Sequence, residues 1–310
     1  MSLYLVTGGA GFIGANLSEE LLKQGCRVRV FDNLSSGCKE NLKDFLSDIE
    51  FINGDIRDKD TLCNAVKGVD FILHQAAIAS VQASINDPQQ NNEVNLQGTL
   101  NVLCAARDAG VKRVVLASSA AVYGSSEVLP KKEIMPAEPL SPYALSKLAG
   151  EIYAGIFSKL YGLETVCLRY FNVFGPKQNP KSEYSGVISI FAEAIANGQI
   201  PVVYGDGEQT RDFVYVENVV SANILASESV RVGHGETINI AGEERVSLNK
   251  LVQILGELAG RDIKPEYRPK RNGDIRHSQA DINLAKEFLG YEVKVGFTEG
   301  LKRLWEIRNK

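Results

Sequence analysis

A chain of 310 residues, 44% apolar and 23% charged, can bury a large core as roughly two domains or one large α/β unit. Its net charge of −4, with both signs interspersed, argues against nucleic acid or a membrane surface as partner, although local arginines could still hold an anion. Five scattered cysteines without a Cys-x-x-Cys pair, no apolar run near the ~18 residues of a membrane helix, and a start without a basic region or cleavage signal lead us to expect a reduced, cytoplasmic, metal-free protein.

Residues 3–6 form an apolar run that predicts a buried strand. Thr7-Gly8-Gly9-Ala10-Gly11-Phe12-Ile13-Gly14 follows, and Phe12, Ile13, Leu17, Leu21 and Leu22 then recur at helical spacing up to Gly25. A second strand, 27–31, closes on Asp32, 18 residues after Gly14. Strand, glycine turn, helix, strand and acid is the order that brings a backbone close to a pyrophosphate on a helix N-terminus. The glycines fit Gly9-x-Gly11-x-x-Gly14 and Gly8-x-x-Gly11-x-x-Gly14 at once. A carboxylate at Asp32 would accept from ribose hydroxyls and repel a 2′-phosphate, favouring NAD over NADP. The polar turn Asn33-Leu34-Ser35-Ser36-Gly37 could touch the same ribose.

The alternation continues with a strand at 49–53 leading to Gly54-Asp55-Ile56, a helix at 59–66, and a strand at 71–73 ending at His74-Gln75-Ala76-Ala77. A long helix is predicted over 91–109, a strand over 113–117 ending in Ser118-Ser119, a helix over 141–161 and a strand over 164–169. This is the pattern of a doubly wound parallel sheet, which binds ligands at the carboxyl ends of its strands. Gly8, Asp32, Asp55, Ala76, Ser119 and Tyr170 should therefore share one rim. In the 141–161 helix Ser141 can cap and Pro142 suits the first position. Tyr143 and Lys147, four apart, then share a face. A nearby ammonium favours a phenolate, so the pair could form a base that takes a proton from an alcohol.

After Phe171 the texture changes to a turn-rich stretch, 175–182, and shorter elements. These are an amphipathic helix at Val187–Ala196, further short elements at Val202–Tyr204, 212–215, 219–225, 237–240, Leu248–Leu258 and 265–267, and a last helix at 298–308. The expected organisation is a Rossmann-like nucleotide-binding domain over 1–171 and a smaller mixed α/β substrate lobe over 172–310, with segments free to cross between them.

With these residues assembled, the chain resembles the extended short-chain dehydrogenase/reductases over essentially its whole length. The marks are the Gly8/Gly11/Gly14 turn, Asp32, Asp55-Ile56, Asn95, Ser118-Ser119-Ala120-Ala121-Val122-Tyr123-Gly124, Tyr143/Lys147 and Arg169-Tyr170-Phe171-Asn172. Gly205-Asp206-Gly207, Arg211-Asp212-Phe213 and the run from Gly273 to Asp281 make it similar to the nucleotide-sugar 4-epimerases. The resemblance implies that Tyr143 takes the sugar 4-hydroxyl proton, Lys147 holds the nicotinamide ribose and lowers the tyrosine pKa, and Ser119 bonds the same sugar oxygen. It implies cofactor contacts from Gly8, Gly11, Phe12, Ile13, Gly14, Asp32, Asn33, Ser35, Ser36, Gly37, Asp55, Ile56, Gln75, Ala76, Ala77, Asn95, Ser118 and Tyr170. Ser80 would face the sugar, Asn172, Arg211 and Arg271 the diphosphate, and Val187 and Tyr204 the uracil; Asp274 and Ser278 complete the substrate set.

The implied reaction is redox-neutral: a UDP-hexose is oxidised to a 4-keto sugar on NAD, turns about its diphosphate, and is reduced on the other face. Ala120-Ala121 stand where the similar dehydratases and decarboxylases carry acids. Ser278 is small where several galactose-type relatives carry tyrosine, leaving room for an N-acetyl group, so the pattern is most like the UDP-N-acetylglucosamine 4-epimerases. UDP-glucose or UDP-glucuronate epimerases, and an NAD-binding regulator on the same fold, are the alternatives. The resemblance also implies a homodimer, paired through the 91–109 and 141–161 helices.

Overall fold

The computed structural model describes residues 1–179, 186–270 and 275–308. Its first part runs β1 (Leu3–Thr7), α1 (Phe12–Lys23), β2 (Arg27–Asp32), β3 (Glu50–Asn53), α2 (Lys59–Ala65), β4 (Phe71–His74), α3 (Val81–Asn86), α4 (Pro88–Asn91), α5 (Gly98–Asp108), β5 (Arg113–Ser119), α6 (Pro142–Tyr161) and β6 (Glu164–Tyr170). Then come β7 (Asn172–Phe174), α7 (Val187–Ala196), β8 (Val202–Tyr204), β9 (Thr210–Tyr215), α8 (Val216–Glu228), β10 (His234–Ile240), β11 (Arg245–Ser247), α9 (Leu248–Leu258), β12 (Glu266–Arg268), α10 (Asn283–Leu289) and α11 (Phe297–Arg308).

Seven strands form one parallel sheet in the order β10-β6-β5-β4-β1-β2-β3. The direction of winding reverses between β1 and β4, which opens a crevice at their carboxyl ends. Near-continuous apolar strands suit a sheet buried on both faces. One face packs Val6, Val30, Val115 and Leu168 with α1 and α8, and the other packs Leu5, Ile72, Val114 and Cys167 with α2, α5 and α6. A three-stranded sheet, β11-β9-β7, and a parallel β8–β12 pair build the smaller lobe. Phe174, Phe213, Tyr215 and Phe297 form its aromatic centre; the Phe213 and Phe297 rings stack at 5.4 Å.

The doubly wound sheet with a smaller mixed lobe is as expected, and one local expectation needs correction. The 91–109 segment is not one regular helix: a π turn over Asn92–Gln97 separates α4 from α5. The widened turn lets the Asn95 side chain reach both main-chain groups of Ile78. The pieces at 219–225 and 237–240 are segments of the kind left free to cross between the lobes. The first lies in α8, which packs on α1, and the second in β10, the edge strand beside β6. Val219, Val220, Ala222, Ile224 and Ala226 are all buried, as a helix pressed between a sheet and a neighbour requires. Strands β1, β4, β5 and β6 each run on to a polar or aromatic residue, Thr7, His74, Ser119 and Tyr170, so the sheet itself carries the rim.

Candidate active site

The crevice is lined first by the glycine turn after β1. Gly8 has φ +66°, and a Cβ there would lie 2.7 Å from the Ala76 nitrogen, so the loops after β1 and β4 meet at this point. A Cβ on Gly14 would lie 2.2 Å from the Gly8 carbonyl oxygen, which seats α1 directly against the turn. The α1 N-terminus begins at Gly11 with no side-chain cap, leaving its first N–H groups to a ligand. Phe12 and Ile13 follow in its first turn. Asp32 is buried, and its two oxygens accept the Ala10 and Leu34 N–H groups at 2.9 and 2.7 Å. Burial raises its pKa and those two bonds oppose the rise. The carboxylate thus shapes the turn as well as facing the place of a ribose.

Around it, the Asn33 amide donates to Asp55 at 2.8 Å, and Arg57 clamps the Asp55 carboxylate and holds its pKa well down. Ser35 and Ser36 are exposed, and Gly37 packs where a Cβ would meet the Ala10 carbonyl carbon at 2.7 Å. Ile56 is buried beneath, its carbonyl accepting from Asn101. Gln75, Tyr170 and Asn223 share hydrogen bonds of 2.8–3.3 Å. Ala76 and Ala77 are half-buried beside Gln75. Asn95 accepts from the Ile78 N–H at 2.8 Å and donates to the Ile78 carbonyl, Asn91 and Ser146. It holds the loop after β4 in place.

On α6, Ser141 caps through the Ala144 N–H and Pro142 stands at the first position. Tyr143 and Lys147 face the same way: the ammonium lies 5.8 Å from the centre of the phenol ring. Lys147 donates to the Ala117 carbonyl on β5 at 2.7 Å. Ser119, the last residue of β5, accepts from the Ala121 N–H. The main chain of Tyr143 is pinned at both ends. Its N–H donates to the Ser84 hydroxyl at 3.1 Å, and its carbonyl accepts from Ser146 at 2.8 Å.

Burial pushes the phenol pKa up, and the Ser119 hydroxyl opposes that rise. Burial likewise lowers Lys147 to about 8. Bringing the phenol down therefore falls to positive charge supplied with the cofactor. The Ser118 hydroxyl donates to the Glu151 carboxylate at 2.5 Å. Ser80 is 6% exposed and caps α3 through the Ala83 N–H, which gives its hydroxyl a structural task.

In the smaller lobe, Asn172 is exposed at the start of β7, and Val187 opens α7. Tyr204 ends β8, and Arg211 lies on β9 with one guanidinium nitrogen donating to the Thr210 carbonyl. Ser278 is half-buried and its N–H donates to the Thr210 carbonyl at 3.1 Å, which lays its segment along β9. Arg271 and Asp274 lie outside the described residues. Ser84 was missed by the sequence reading, and Asp212 was named there only as part of the Arg211-Asp212-Phe213 mark. Asp212 is buried and ties Gly242 and Ala280 together through its two oxygens.

The geometry fits NAD. The glycine cradle admits no side chain, the helix N-terminus is uncapped, and a carboxylate closes β2. Comparison with known proteins agrees. Residues 4–241 match the model of the NAD dependent epimerase/dehydratase family. A UDP-glucose 4-epimerase from Mycolicibacterium smegmatis is 40% identical over 311 residues, covering 99% of this chain and 98% of that one. The crystal structure of a Thermus thermophilus UDP-glucose 4-epimerase complex with NAD superposes with a TM-score of 0.88 at 39% identity, covering 98% of each chain. A UDP-N-acetylglucosamine 4-epimerase from Methanobrevibacter ruminantium, in complex with UDP-N-acetylmuramic acid, superposes with a TM-score of 0.94 at 39% identity, covering 100% of this chain and 99% of that one.

Proposed function

The chain belongs to the NAD-dependent epimerase/dehydratase family and is an NAD-dependent UDP-sugar 4-epimerase; on that footing we propose that its preferred substrate is UDP-N-acetylglucosamine, interconverted with UDP-N-acetylgalactosamine. The observation that carries the choice is Ser278. Its segment is laid against β9 by the main chain, and a side chain this small would leave room for an N-acetyl group on the sugar. Ala120 and Ala121 follow Ser119 in a short 3-10 turn and offer no acid for eliminating water or carboxylate chemistry.

NAD, when bound, supplies the hydride acceptor and donor at C4 and a positive ring near the phenol. The chain supplies the rest. Tyr143 takes and returns the 4-hydroxyl proton, with Ser119 bonded to the same oxygen and Lys147 adding positive charge one turn away. Arg211, with Asn172 and Arg271, holds the diphosphate, where guanidinium groups suit paired oxygens. Val187 and Tyr204 border the uracil. Firm diphosphate anchoring with fewer sugar contacts leaves the sugar able to turn.

Leu145, Ile152, Ile156 and Leu160 form an exposed apolar stripe along α6, and we assign this face to a homodimer. All five cysteines are free, which suits the cytoplasm. No described helix is long and apolar enough to cross a membrane. The substrate test is the ratio of turnover on acetylated and non-acetylated UDP-hexoses. Faster turnover of UDP-N-acetylglucosamine than of UDP-glucose supports the assignment; turnover of UDP-glucose alone overturns it.

A further inference from the structure

Beside Lys147 lies a small, partly open pocket of about 10 Å³, lined by Lys147, Glu151, Ser118, Thr99, His74 and Cys167 among others. Space of this size holds at most one water. Glu151 is one helical turn beyond Lys147 on α6 and is 7% exposed. Its carboxylate accepts from Arg169 through both oxygens at 2.9 and 2.8 Å and from Ser118. The Arg169 guanidinium in turn lies 4.7 Å from the Tyr123 ring, and its Nη1 is buried without a hydrogen-bond partner.

We propose that Glu151 is a positioning residue for the reaction: its buried carboxylate keeps Lys147 charged beneath the base, and Arg169 and Ser118 hold that carboxylate in place. The proposal rests on the reading of Tyr143 and Lys147 as the proton-transfer pair. The electrostatic neighbourhood leaves few other candidates. Burial lowers Lys147 to about 8, and Cys167 and Glu151 oppose that drop. Cys167, from β6, is itself pushed well above its ordinary value by burial and stays a neutral thiol. His74, from β4, is lowered to about 3 by burial and stays neutral, its ring nitrogens bonded to Thr7 and Thr99. From α6 the remaining groups are Tyr143 and Glu151. Arg169 contributes a cation from β6, and Glu236 on β10 acts on Cys167 from further away. Among the described residues lining the pocket, Glu151 is thus the one anion.

The sign of the charge makes this separable from a packing role. An opposite charge a few ångströms away moves a pKa by about 1–3 units. Glu151→Gln removes the anion and leaves Arg169 uncompensated, so Lys147 should lose its proton earlier. The alkaline limb of kcat should move down by about one pH unit or more. Arg169→Met removes the cation and should move the same limb up. Glu151→Asp, which keeps the charge, should restore the wild-type limb. A second readout is 13Cε-lysine NMR, which follows the Lys147 titration directly, with Lys147→Arg assigning the resonance. Opposite displacements in Glu151→Gln and Arg169→Met establish the proposal. A limb that stays put in both, with only kcat or thermal stability reduced, overturns it. If Glu151→Gln does not fold, the Arg169→Met limb decides alone: upward supports, unmoved or downward overturns. Tyr143→Phe separates the two readings. Retained turnover in that variant defeats the assignment of the base, whereas a dead Tyr143→Phe with unmoved limbs defeats only the role of Glu151.

Discussion

The Lys147 ammonium lies 5.8 Å from the centre of the Tyr143 ring and is tethered to the Ala117 carbonyl at 2.7 Å. The lysine is therefore anchored to β5, so it arrives at the site with its position set by the sheet and the tyrosine's position set by the helix. Replacing it removes charge and tether together. Lys147→Met should lower kcat by about a hundredfold or more while leaving the circular dichroism spectrum unchanged. Steady-state turnover with a UDP-hexose checks this, and near-wild-type kcat would contradict it.

The contact between the glycine turn and its surroundings leaves no room for a methyl group. Gly14→Ala would place a Cβ 2.2 Å from the Gly8 carbonyl oxygen. It should lower NAD affinity by about tenfold or more, a free-energy change of about 1.4 kcal/mol. Gly25→Ala is the control. It has φ +77° with nothing within 4 Å of the added Cβ. It should cost about 1–2 kcal/mol of stability through backbone strain alone and leave NAD binding intact. Calorimetric titration with NAD and thermal unfolding on both variants separate the outcomes.

Asp212 gives a pH-dependent prediction. Burial lifts its carboxyl to about 6, against hydrogen bonds from Ala280 and Gly242. The unfolded value is near 3.9, so the folded state binds more protons between these two pH values. The unfavourable contribution is absent below pH ~4 and fully present above the folded pKa, so stability from this group falls as pH rises through the window. Asp212→Asn removes the dependence. From pH 4 to 7 wild type should lose about 2 kcal/mol relative to the variant, measured by denaturant unfolding. A gap independent of pH would contradict the burial argument.

How much of this was legible depends on the range of the interaction involved. Tyr143 and Lys147 were readable because four-residue spacing on a helix puts two side chains together whatever the rest of the chain does. The glycine turn was readable because strand, turn, helix and acid are all local. Asn95 is different: it meets Ile78, 17 residues upstream, from within a π turn that spacing along the chain does not mark. Ser84 holds the Tyr143 N–H across 59 residues and carries no local signature. The same applies to 216–240. An apolar stretch there fits either lobe, and only the free edge of β6 decides that β10 pairs with it. The electrostatics also escaped the sequence, since spacing brings a lysine near a tyrosine but does not reveal that burial outweighs it at both groups.

The exposed stripe on α6 predicts the assembly. Leu145, Ile152, Ile156 and Leu160 are between 40% and 67% exposed. Ile152→Glu together with Ile156→Glu should convert a dimer to a monomer, read by sedimentation velocity. A wild-type protein that sediments as a monomer would contradict the assigned face.

The most direct test is turnover by Tyr143→Phe. The substitution removes one hydroxyl and leaves the ring, the Lys147 tether and the glycine cradle as they are. Incubation with UDP-N-acetylglucosamine and NAD, followed by separation of the C4 epimers, should show product from wild type and none above background from the variant, which still binds NAD. Epimer formation by Tyr143→Phe at the wild-type rate would contradict the account.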